Sequence, residues 1–170
     1  MPPEAPKGPI EFSRPLPLGR VGPEGRTEAL VATAAECAAL ARRFGILGVD
    51  SLRATLRLEP DEDGAVVVTG RLEAAVVQAC VVTLEPVPQR VAEEIVCRLL
   101  PAGREPAEGP DDPDEIECAH DVADLGEVVA EQLALALDPY PRAAGAELPA
   151  EATDDSAGAF AALAALRRKV

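Results

Sequence analysis

Residues 65–100 read AVVVTGRLEAAVVQACVVTLEPVPQRVAEEIVCRLL, and the fold turns on them. From Val66 to Val82 the even positions Val66, Val68, Leu72, Ala74, Val76, Cys80 and Val82 are apolar, while Thr69, Arg71 and Glu73 fall on odd ones. Successive side chains of a strand point to opposite faces, so this alternation predicts a long strand with one buried face and one wet face. Past Leu84, Glu85 and Pro86 the apolar parity moves to Val87, Val91, Ile95, Cys97 and Leu99, with Arg90, Glu94 and Arg98 opposite. A change of parity across a Pro-containing break predicts a hairpin turning about Glu85-Pro86, in an antiparallel sheet open to water on one side.

The flanks extend this hairpin. Residues 49–58 alternate Leu52, Ala54, Leu56 and Leu58 with Ser51, Arg53, Thr55 and Arg57, and the polar turn 60–64 joins them to the hairpin as a three-stranded meander. Gly70 predicts a bend in the middle strand. Upstream, Thr33 and Glu36 have capping-box spacing, which opens a helix to Phe44 that Gly45 stops. Residues 28–31 are extended. Residues 12–18 form an edge strand, its two prolines keeping it off the centre of the sheet. Downstream, Asp124 caps a helix over 125–137 whose stripe is Leu125, Val128, Val129, Gln132, Leu133 and Ala136, with Glu127 and Glu131 wet. The expected fold is α+β: a twisted antiparallel sheet curled toward a partial barrel, two helices on one face, and acidic disordered appendages.

The chain of 170 residues is long enough for one domain, placed at 11–142 between a frayed Pro-rich start, 1–10, and a linker, 143–155. The stretch 101–117 has four prolines and a string of carboxylates, and its composition predicts a mobile acidic loop. Residues 101–127 hold ten acids against one base, so most of the net charge of −14 sits there. Such a chain is repelled by phosphate, which argues against DNA and against direct contact with any nucleic-acid backbone; a basic protein partner fits better. The start of the chain has no signal-peptide pattern and no segment is apolar for ~20 residues, so the expected setting is the cytoplasm, with no membrane partner.

Chemistry-bearing residues are sparse. Cys37, Cys80, Cys97 and Cys118 lack paired spacing. With the turn at Glu85-Pro86, Cys97 sits opposite Ala74 and about 20 Å from Cys80, too far for a shared metal or disulfide. No zinc and no other cofactor is expected. Cys118 and His120 are the one local thiol and imidazole pair, the basis of an alternative reading as a metal- or thiol-dependent enzyme. The surrounding acids oppose thiol activation and no oxyanion donor is recognisable, so an inert loop end is favoured. Glu127 and Glu131 read as the solvated side of a helix rather than a catalytic pair. Arg53, Arg57, Arg71 and Arg90 make a basic strip on the wet sheet face, suited to partner contact or to cross-strand pairing with Glu73 and Glu94.

Three segments carry a resemblance. Residues 70–87 (GRLEAAVVQACVVTLEPV), with Gly70, Cys80, Glu85 and Pro86, and residues 124–141 (DLGEVVAEQLALALDPYP), with Asp124, Leu125, Glu127 and Glu131, resemble the YceD family of large ribosomal RNA subunit accumulation proteins. Residues 158–167 (GAFAALAALR) look like the family's closing motif. The resemblance implies a cytoplasmic, non-enzymatic factor in large-subunit ribosome biogenesis and 23S ribosomal RNA accumulation. It would act by binding a ribosomal protein or an assembly intermediate. Many relatives carry Cys-x-x-Cys where this chain has Cys80 and Thr83, so no metal or redox role of that pair is carried over. A short helix over 156–169 with the stripe Phe160, Leu163 and Leu166 is too short to stand alone, and the linker's reach favours an external docking surface.

Overall fold

The computed structural model describes residues 11–107, 109 and 114–147. Strands β1 (Pro15–Pro17) and β2 (Arg26–Val31) precede helix α1 (Ala34–Phe44); β3 (Gly48–Pro60), β4 (Val66–Ala79) and β5 (Pro86–Leu100) follow, then β6 (Glu115–Glu117), β7 (Val122–Asp124) and helix α2 (Leu125–Ala136). One sheet has the order β2-β3-β4-β5-β6, and β1 pairs with β7 in a second, two-stranded one. The expected α+β class holds, and the main sheet does not close into a barrel.

The three long strands obey the period-2 pattern. Leu52, Ala54, Leu56 and Leu58 of β3, Val66, Val68, Leu72, Ala74 and Val76 of β4, and Val91, Ile95, Cys97 and Leu99 of β5 are all buried. Both helices add to the same core, α1 through Cys37, Leu40 and Ala41 and α2 through Leu125, Val128, Val129 and Leu133. Each fully buried Leu or Ile there is worth about 1.5–3 kcal/mol, so this shared core dominates the fold's stability. At the start of α1, Thr33 accepts from the Glu36 amide while the Glu36 carboxylate accepts from the Thr33 amide, and Gly45 closes the helix at φ 65°. Arg14 donates to both Glu36 oxygens, at 2.7 and 3.1 Å, which holds that carboxyl down at about 2 and ties the N-terminal segment to α1.

Several expectations are corrected. The hairpin does not turn at Glu85-Pro86: β4 stops at Ala79, Pro86 already pairs with it, and residues 80–85 form the loop. That loop is closed by Cys80 N donating to Glu85 O at 2.8 Å and Leu84 N to Cys80 O at 2.9 Å, with Leu84 in the left-handed region at φ 62°. In the true register Cys97 faces Val68, not Ala74, which moves it still farther from Cys80. Gly70 makes no bend; the irregularity lies in β3 between Val49 and Ser51. Gly70 marks a close approach instead, since a Cβ there would meet the Thr55 carbonyl oxygen inside van der Waals contact.

Of residues 12–18 only Pro15–Pro17 is a strand, and it pairs with β7 rather than edging the main sheet. The sheet is not wholly antiparallel either, because β6 runs parallel to β5. That strand lies inside the expected mobile loop, whose described parts are held by hydrogen bonds: Glu115 takes Arg98 and the Ala107 amide, and Glu117 takes the Gly103 amide. Carboxylates that find donors can order a stretch that lacks apolar surface. Helix α2 ends at Ala136, with Leu137 as its C-cap.

Candidate functional site

A groove of about 580 Å³ runs between α2, the β6–β7 connection and the C-terminal end of β5. Its floor is apolar, made by Leu99, Ile116, Val122, Ala123 and Val128. Its walls carry five carboxylates, Glu11, Glu117, Asp124, Glu127 and Glu131, against one guanidinium, Arg43. Arg43 forks onto Glu127 at 2.6 and 2.8 Å and reaches Glu11 at 3.3 Å, which raises its pKa and leaves the groove strongly negative. Burial, and then the charge of Glu127, pushes the Glu131 carboxyl up, the response expected where negative charge is crowded.

Asp124 forms one corner. Its carboxylate caps α2 by accepting from Gly126 N at 3.0 Å and Glu127 N at 3.3 Å, and it also accepts from Arg14 N at 2.7 Å and Ser13 Oγ at 2.5 Å. Leu125 N donates to Arg14 O at 3.1 Å in the same seam. Gly126 permits the contact, because a Cβ there would overlap the Phe12 carbonyl.

The sequence-selected arginines of the sheet lie apart from this groove. Arg53 pairs with Glu73 across β3 and β4; Arg57 donates to Glu24 O at 2.6 Å and to Glu59 at 3.3 Å; Arg71 Nε lies 3.9 Å from Glu73; Arg90 stands opposite Ala75. Cys118 lines the groove, but burial first and then Asp121 and Glu117 push its thiol up to about 11, opposite to what a nucleophile needs. His120 is exposed in the connecting turn, at φ 58°. Among the described residues no cluster of His, Cys, Asp and Glu could hold a metal ion. Glu127 and Glu131 share the groove wall, whereas Glu85 and Pro86 are exposed at the hairpin loop.

Sequence reasoning missed Glu11, Arg43 and Glu117 as neighbours, because they come from three distant parts of the chain. Residues 68–167 match the family model described as Large ribosomal RNA subunit accumulation protein YceD, well over half of the chain. The chain belongs to the YceD family. Membership gives it a role in accumulation of the large ribosomal RNA subunit and thus in ribosome biogenesis. No curated protein and no solved structure matches it.

Within the YceD match, Cys80 has an unusual setting. Its buried sulfur accepts from Ala143 N at 3.3 Å and from Val82 N and Thr83 N at 3.4 Å. The Ala143 amide first, then Thr83 and Val82, lower the thiol pKa to about 6. The same hairpin end holds the chain after α2, with Val81 N donating to Pro141 O at 2.9 Å and Gln78 Nε2 to Asp138 O at 2.9 Å. Because the folded pKa lies below the unfolded one, the thiolate's stabilisation is complete above the unfolded value and is lost as pH falls through about 6. The melting temperature of the parent minus that of Cys80→Ala is therefore expected to grow between pH 6 and 9. A difference constant across that range would contradict an ionised Cys80.

Proposed function

We propose that this YceD-family chain supports 23S ribosomal RNA accumulation in the cytoplasm by holding a basic ribosomal protein, alone or in a large-subunit assembly intermediate, in the acidic groove. The observation that carries this reading is an apolar floor walled by five carboxylates and one arginine. Apolar contact supplies adhesion, and the walls select a positively charged segment while repelling phosphate, so contact with RNA is indirect. The ion pairs of Arg53 and Arg57 support a structural role for the outer arginine strip and favour the groove over that face as the partner's surface. The raised Cys118 pKa supports binding rather than chemistry, against the thiol-enzyme alternative with His120.

The test is copurification of the tagged chain from cell extract, followed by mass spectrometry. Basic large-subunit proteins are expected to be enriched, and more so at low salt. Reversing two wall charges, Glu117→Lys with Glu131→Lys, is expected to weaken the association on the order of tenfold, while Arg53→Ala leaves it unchanged. Equal capture by the wall variant, or loss with Arg53→Ala, would move the binding surface to the outer face.

A further inference from the structure

We propose that the groove's occupant in the free protein is the chain's own segment 156–169, lying there as a basic stand-in for the partner; this rests on the reading that the groove takes a basic segment. The charges on the two sides are complementary. The groove has an apolar floor and acid-rich walls, and Glu131 lines it with a carboxyl already pushed up by burial and by Glu127. The segment places Phe160, Leu163 and Leu166 three residues apart, then Arg167, Arg168 and Lys169 in succession. Helical spacing puts the three apolar side chains on one side, with the cations following. Anchors of this kind in a hydrophobic groove are a common mode of helix recognition.

Reach allows it. Phe160 follows Glu147 by about 13 residues, an extended span of up to ~43 Å at ~3.3 Å per residue. Glu131 and Glu127 precede Asp138 along α2 by about 7 and 11 residues, only ~10–17 Å at ~1.5 Å per residue. A tether of this length keeps the segment at an effective concentration near the millimolar range, so weak intrinsic affinity suffices for occupancy. The partner must then displace it, and the segment sets a threshold that weakly basic proteins do not pass.

The chain contains no tryptophan, so Phe160→Trp in the full-length protein introduces a single indole reporter. Its emission is expected to lie to the blue of a solvated indole, independent of protein concentration. High salt and the added reversals Glu117→Arg and Glu131→Arg are each expected to remove at least half of that shift, with the far-UV circular dichroism unchanged. Solvent-like emission in the parent, or a shift that survives both salt and charge reversal, would overturn the proposal. A shift that appears only as concentration rises would place the segment in a second copy and overturn the intramolecular form. The readout needs no partner, so it stands or falls separately from the copurification result.

Discussion

Gly70→Ala is expected to destabilise the protein by about 3 kcal/mol or more, lowering the melting temperature by roughly 10 °C. Gly70 lies in the central strand β4, between Leu56 of β3 and Ile95 of β5. A methyl there would strike the Thr55 carbonyl oxygen and come within 2.9 Å of Leu56 Cδ2 and 3.0 Å of Leu56 Cα. The Leu56 side chain could rotate, but the Thr55 oxygen and Leu56 Cα are backbone of a strand paired on both edges, so the ladder itself must shift. Gly19→Ala is the control, because a Cβ there meets nothing within 4 Å. Thermal unfolding followed by circular dichroism separates the two. A Gly70→Ala protein melting within 2 °C of the parent would show that β3 and β4 do not approach so closely.

The second large effect is at Asp124, where one carboxylate serves four donors from two parts of the chain. Asp124→Ala removes the cap of α2, worth about 1 kcal/mol, and leaves the half-buried Arg14 amide without its acceptor, worth about 1–3 kcal/mol more. The expected total is about 2–4 kcal/mol. Asp124→Asn keeps a good N-cap oxygen and gives up only the charge, so it is expected to cost about half as much. Hydrogen exchange should quicken at the Arg14 amide and in the first turn of α2 before anything changes in β3 or β4. Equal losses for the two variants would mean that the charge, rather than the geometry of the acceptor, holds the seam.

How far the fold is legible in the sequence follows from which contacts are local. The alternation in β3, β4 and β5, the Thr33 and Glu36 capping box and the Asp124 cap all depend on neighbours a few residues apart, and each is visible in the pattern. The hairpin loop is not, because Leu84 adopts φ 62° without the glycine that normally signals such a turn. Strand β6 is hidden for another reason: Glu115 and Glu117 read as solvated acids until Arg98 and the amides of Gly103 and Ala107 are known to face them. The groove is less legible still. Its walls join Glu11, Arg43 and Glu131, residues that only the assembled sheet and helices bring together. The segment 156–169 lies outside the described residues, so its expected helix is untouched by these observations.

The pairing of β1 with β7 also sets an order of events during synthesis. Pro17 and Val122 are register partners about 105 residues apart, and at about 5–20 residues per second the ribosome takes roughly 5–20 s to make the chain between them. During that interval β2 to β5 are made in turn, while Phe12, fully buried in the finished protein, has neither β7 nor Gly126 to cover it. The nascent chain therefore emerges with an adhesive N-terminal stretch that is quenched only once β7 and α2 have been made. A protein of ribosome assembly thus completes its own fold by waiting on a ribosome.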